Sequence, residues 1–145
     1  MTVIEPPEGA AERFAPPVSP ASEPFWAATR DRRLVLQWCT ACELPVHFPR
    51  EACPTCLGED LEFREASGIG TVYAVSVMPK AANPTMSGRG SYAVALVDLA
   101  EGARFYSNVI ADHPSTVSVG QSVHVAWEPL GDGRHLPVFV PDAES

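Results

Sequence analysis

Four cysteines stand in two pairs, Cys39-Thr-Ala-Cys42 and Cys53-Pro-Thr-Cys56, with ten residues between the pairs. A two-residue gap lets both sulfurs of one turn reach a single ion. Two such turns brought together by a hairpin make a tetrahedral four-thiolate site. The spacer, with Val46-His47-Phe48-Pro49 inside it, is long enough for the arms of that hairpin. Zinc is the expected metal, and iron suits the same ligands. Four thiolates close the coordination sphere and leave no position for a catalytic water, so the expected role is structural. A redox cysteine pair would occur once, at the start of a helix. Here the motif occurs twice, among prolines and short strands. So short a module cannot build a core, and the ion would supply its folding energy.

Other reactive constellations are missing from the sequence. The histidines are His47, His113, His124 and His135, and none has a sequence neighbour suggesting a nucleophile or a metal-ligand set. There is no G-x-S-x-G, H-E-x-x-H, P-loop or G-x-G-x-x-G motif. His124 and Asp98 are expected to face water from their strands. No catalytic residue is expected, and the chain is not expected to be an enzyme by itself.

The elements that must position the cysteines read as mainly β. Leu34 to Trp38 forms a strand running into Cys39. Further strand-like runs are Leu61 to Glu65, Ile69 to Met78, Ser91 to Leu99, Arg104 to Ile110, Gln121 to Glu128 and Leu136 to Val140. Period-two patterning at this spacing indicates a small antiparallel barrel. On the Ile69 run, Tyr73, Val75 and Val77 alternate against Ala74 and Ser76; on the Gln121 run, Val123, Val125 and Trp127 alternate against His124 and Ala126. Ala100-Glu101-Gly102 and Gly131-Asp132-Gly133 read as hairpin turns. Asp112-His113-Pro114 opens a longer crossover. The fold class is thus a short N-terminal helix and a zinc ribbon, followed by a five-stranded OB-type barrel. The expected boundaries are an extended arm at 1–21, a short docking helix at 22–33, the zinc ribbon at 34–60, the OB-fold barrel at 61–141 and a tail at 142–145.

Residues 1–24 hold six prolines, five of them in the arm, and show no hydrophobic period, which suggests a loose segment. Ser22 is placed to cap the helix, with Pro24 in its first turn. That helix presents Phe25 and Trp26. Two readings stand: the rings cover the ribbon of the same chain, or they dock on a partner protein.

Composition narrows the function classes. The chain has 145 residues, 46% apolar and 19% charged, which permits a packed core. Its formal charge is -8, and from Leu57 to Ser145 eleven acidic residues oppose five basic ones. A phosphate-gripping protein runs the other way, so single-stranded nucleic-acid binding, the usual alternative for an OB barrel, is disfavoured. No run approaches the ~20 apolar residues of a membrane span, and the start lacks the basic and apolar regions of a secretory signal. A cytoplasmic location, where thiols stay reduced, is expected.

The order of motifs is Pro24-Phe25-Trp26, the two cysteine pairs around Phe48-Pro49-Arg50, Ser67-Gly68-x-Gly70-Thr71-Val72-Tyr73 and Tyr92-x-Val94-Ala95-Leu96-Val97. Glu101-Gly102, Ser107-Asn108-Val109, Val119-Gly120-x-x-Val123-x-Val125 and Leu136-Pro137-x-Phe139 follow. Over about residues 22–140 this resembles the rubredoxin-like zinc-ribbon plus OB-fold family formerly filed as a domain of unknown function. One position departs from it: Glu43 follows the first cysteine pair, where such ribbons often carry glycine.

The resemblance implies a non-catalytic subunit of a thiolase-like enzyme. Family settings include a scaffold between acetoacetyl-CoA thiolase and hydroxymethylglutaryl-CoA synthase in archaea, and a small subunit of acyltransferase complexes. Another is a partner of sterol-carrier-type thiolases or aldolases in steroid side-chain degradation, where an acyl-CoA hydratase is also bound or fused. The implied task is holding the enzyme in its active shape and helping pass acyl-CoA esters. Cys39, Cys42, Cys53 and Cys56 carry over as metal ligands. Phe25 and Trp26 are the expected partner-docking residues. Arg32, Arg33, Lys80 and Arg89, with Arg30, are the basic groups available to an acyl-CoA ester, most of whose contacts the partner would supply.

Overall fold

The computed structural model describes residues 2–81 and 84–142. Most of the expected tail, 143–145, and two positions of the expected loop 80–90 lie outside the described residues. No helix among the described residues is long and apolar enough to cross a membrane.

Helix α1 spans Glu23–Arg30, with Pro24 in its first turn as expected. Ser22 occupies the N-cap position, but its side chain does not cap; its hydroxyl engages Ser19 instead. The other end is closed by backbone bonds. Arg33 N–H donates to Ala28 O and Arg32 N–H to Thr29 O, while Arg32 takes a positive φ of 54°. This is the helix-ending geometry usually given to glycine.

The ribbon sheet has the order β2-β1-β3, formed by β1 (Val35–Cys39), β2 (Leu44–Val46) and β3 (Leu61–Glu65). The barrel is β4 (Ile69–Met78), β5 (Tyr92–Leu99), β6 (Arg104–Val109), β7 (Ser122–Pro129) and β8 (His135–Pro141). It closes in the order β4-β5-β6-β8-β7, with β7 back on β4. Among the barrel strands, β6 and β8 pair in parallel, and a 3-10 turn at Pro114–Thr116 lies in the crossover that makes this possible. That strand order is the expected OB-type barrel.

Helix, ribbon and barrel share one core. Phe25, Trp26, Leu34 and Leu36 pack with Val97, Phe105, Val123 and Phe139. Thr29 fastens the helix to β8: its hydroxyl donates to Trp26 O, and its carbonyl lies 2.9 Å from His135 Nδ1.

Two alternations differ from expectation. A bulge between Val72 and Ala74 leaves Tyr73 unpaired. An extra residue reverses the phase of a strand, so Tyr73 is exposed while Val72 and Val75 pack on the core. On β7, burial becomes continuous from Ala126 through Glu128. The reason is the N-terminal arm, which lies against the barrel rather than loose. Ile4 N–H donates to Trp127 O at 2.7 Å and Trp127 N–H to Thr2 O at 2.9 Å, so the arm pairs with the open edge of β7. Farther along, Ala11 N–H donates to Ser87 O. Gly88, at φ +81°, lies where any Cβ would meet Gly9 O at 2.5 Å, so glycine is required for this close passage.

Candidate metal centre and its surroundings

β1 delivers Cys39 to the tip of the ribbon, and pairing of β1 with β3 brings the second knuckle alongside. Thr40 N–H donates to Asp60 O at 2.9 Å and tightens that junction. The sulfurs of Cys39, Cys42, Cys53 and Cys56 all lie within 4.8 Å of one another, and those of Cys39 and Cys56 are 3.7 Å apart. A Zn–S length of about 2.3 Å in a tetrahedron requires sulfurs about 3.8 Å apart. The donor set therefore fits a structural zinc, which these four cysteines would hold. A bound ion would cross-link two turns that have little core of their own.

Backbone amides prepare the thiolates. Cys42 N–H points to Cys39 Sγ, Thr55 N–H to Cys53 Sγ and Gly58 N–H to Cys56 Sγ, each at 3.4 Å. The backbone N–H groups of Cys56 and Thr55 draw the Cys53 thiol down to about 6. Cys42 is pushed up to about 12, first by its hydrogen bond with Cys56. Crowded thiols do not ionise equally, and a shared cation removes the competition. The residue after each knuckle, Glu43 (φ 53°) or Leu57 (φ 63°), turns left-handed. The missing glycine at Glu43 is thus accommodated by backbone strain, and the Glu43 carboxylate reaches Arg64 at 3.3 Å.

Behind the knuckles, buried Gln37 clamps the ribbon. Its amide donates to Arg50 O and accepts from Arg50 N–H, both at 2.8 Å. His47 lies flat on Phe105, with centroids 3.8 Å apart and planes 7° from parallel. Burial, and then the charge of Arg50, lowers its pKa to about 4, so the stacked ring is neutral at pH 7.

Phe25 and Trp26 are not free docking residues. They are 2% and 5% exposed and pack on Phe48 and Phe105 within this chain. Their apolar area is consumed in joining helix to barrel. What they form with His47, Phe48, Tyr106 and Pro137 is a groove of about 400 Å³ at the ribbon–barrel seam. Its rim is open: Tyr106 is 77% exposed and Phe48 also faces solvent. Sequence patterning gave no sign of this groove, because its rings come from separate segments of the chain.

The basic residues expected to face an acyl-CoA ester do not converge. Arg89 is largely buried in an ion pair with Glu128. Arg33 pairs with exposed Glu65 at 2.6 Å, and Arg30 donates to Asp132 O. Arg32 and Arg33 line a shallow cleft with Leu34 and His124. Lys80 stands apart, exposed beyond β4. Asp98, expected merely to face water, holds Arg104 through both oxygens at 2.6 and 3.1 Å, and that guanidinium covers the Tyr73 ring. His124, expected in water, is half-exposed with Nδ1 2.7 Å from Asp142.

Comparison with known proteins agrees with this architecture. Residues 26–62 match the rubredoxin-like zinc ribbon domain of ChsH2, and residues 63–128 match its C-terminal OB-fold domain. A "DUF35 domain-containing scaffold protein" of Methanocaldococcus jannaschii is 32% identical over 114 residues, covering 68% of this chain and 79% of that one. A "probable enoyl-CoA hydratase alpha subunit" of Thermomonospora curvata is 38% identical over 125 residues. This chain spans only 39% of that relative's length, and the match takes in 83% of this chain. Among solved structures, a chain of the "Ltp2-ChsH2(DUF35) aldolase" superposes with a TM-score of 0.77 at 34% identity, covering 88% of this chain and 98% of that one. A DUF35-family protein of unknown function from Sulfolobus solfataricus shares the fold at 14% identity, with a TM-score of 0.63 and coverage of 86% and 87%.

Proposed function

This chain belongs to the ChsH2 family of zinc-ribbon and OB-fold proteins, and from that membership we propose that it is a non-catalytic accessory subunit of a thiolase-like enzyme. Its partner would be a thiolase or a sterol-carrier-type aldolase of steroid side-chain degradation. It stabilises that enzyme and assists the handling of its acyl-CoA ester. The observation that supports this most is the structural likeness, at 34% identity, across 98% of a chain from an aldolase assembly. The hydratase-subunit and scaffold names of the other relatives point to the same kind of partnership.

The geometry supplies a surface for it. Interfaces favour exposed aromatic anchors beside a depression. Here Tyr106 and Phe48 rim the seam groove, and Tyr73 lies on the neighbouring outer face with Arg104 on its ring. We assign partner docking to this rim in place of the buried Phe25 and Trp26. Contacts to the acyl-CoA ester, where this chain makes any, are assigned to the cleft of Arg32 and Arg33 rather than to Arg89. Tyr106→Asp tests the rim directly. The exposed side chain contributes little to the core, so zinc content and thermal unfolding should match the wild type. Affinity for the partner should fall by about 30-fold, as for loss of an interface anchor worth about 2 kcal/mol. Unchanged affinity would move the interface elsewhere.

A further inference from the structure

A second cavity, of about 170 Å³, lies between the arm, the loop before β5 and the barrel. Ile4, Pro6 and Pro7 of the arm form one wall, and Met86 and Ile110 form another. Its polar floor is an ion cluster. Glu128, 1% exposed, accepts through Oε2 from Arg13 Nε at 2.6 Å and is 3.0 Å from Arg89 Nη2. Arg13 and Arg89 are themselves nearly buried. Yet Glu128 Oε1 and Arg89 Nε are buried without any hydrogen-bond partner.

One acceptor and one donor are thus left unsatisfied on a single buried ion pair. A native protein rarely tolerates this without a bound molecule. The chemistry limits what that molecule is. A carboxylate would answer Arg89 Nε but meet Glu128 Oε1 with like charge. An ammonium would answer Glu128 but face two guanidiniums. A single hydroxyl or carboxamide both accepts and donates. The apolar walls call for a compact apolar body, and a dry cavity of about 150 Å³ is known to take one benzene ring. We propose that the space beneath the arm binds a small neutral molecule with an apolar body of about one ring and a hydroxyl or carboxamide head. The arm then builds a ligand site whose apolar walls are separate from the seam groove, with Arg13 and Asn108 lining both.

Phenol is a suitable probe, with toluene and benzoate as controls, titrated into the zinc-loaded full chain and followed by amide NMR shifts. Phenol should move the amides of Ile4, Tyr92, Ile110 and Glu128. Toluene lacks the head and benzoate carries the wrong charge, so each should bind at least tenfold more weakly. Met86→Trp fills the space from the wall facing the arm, replacing the 4.0 Å contact of Arg13 Nη1 with Met86 Sδ, and should abolish the phenol shifts. The proposal is overturned if phenol leaves those amides unmoved, if either control binds as well, or if a folded Met86→Trp variant still binds. A long-lived water on Glu128 with no phenol binding would likewise overturn it, by showing that the orphan atoms hold solvent only. The comparison of probes on the wild type decides the matter even where the variant fails to fold.

Discussion

Leu57 carries a φ of 63° immediately after the second zinc knuckle, with its side chain in solvent. A branched residue there adopts a backbone conformation costing roughly 1–2 kcal/mol that glycine adopts freely. Leu57→Gly should therefore raise the unfolding midpoint by about 2–4 °C, the shift expected of about 1 kcal/mol in a chain of this size. A lower midpoint would mean that the leucine makes contacts worth more than the strain.

His47 gives a second expectation, with a definite sign. Its folded pKa of about 4 lies below its ordinary 6.5. Between those values the unfolded chain binds a proton that the folded chain refuses. Stability is fully present above pH 6.5 and declines as the pH falls toward 4, by up to roughly 3 kcal/mol. His47→Phe keeps a flat ring against Phe105 and should lose that part of the slope in urea unfolding at pH 6.5, 5.5 and 4.5. The same slope in both proteins would assign the pH dependence elsewhere.

At the scale of elements, α1 is a buried strut. Truncating both Phe25 and Trp26 to alanine removes two rings from the shared core, at about 3–5 kcal/mol each. The double variant should lose cooperative unfolding and protease resistance of the whole chain, where a docking peg would lose only partner affinity. A stable, folded double variant would return the pair to the interface.

Element types were largely legible. Strands Leu61–Glu65 and Ile69–Met78 coincide with their patterned runs, and the hairpin at Ala100–Gly102 follows from its turn residues. What failed to show was long-range. The Tyr73 bulge depends on cross-strand register with Val97 and Leu96. The burial of Glu128, at the end of a patterned run, depends on Arg13, 115 positions earlier, folding back onto it. The short strand Leu44–Val46 carries too little pattern to stand out. In the site, cysteine spacing alone picked out the four sulfurs that the fold brings within 4.8 Å of one another. The His47–Phe105 stack joins the ribbon to the barrel and has no local signature.

At the scale of the whole molecule, the ribbon, helix and barrel share one core, with a cysteine cluster fit for a structural metal and an aromatic seam on the surface. Its net charge of -8 suits docking on a complementary protein better than tracking a phosphate backbone. The accessory-subunit account therefore stands on partnership. The most direct measurement is tagged purification of the full chain from its native host at moderate salt. The co-purifying proteins are identified, and the partner's acyl-CoA chemistry is assayed with and without this chain. The account predicts a stoichiometric thiolase-like enzyme whose activity falls at least tenfold when this subunit is withheld. A zinc-loaded protein that elutes alone, or a partner fully active without it, would contradict the account.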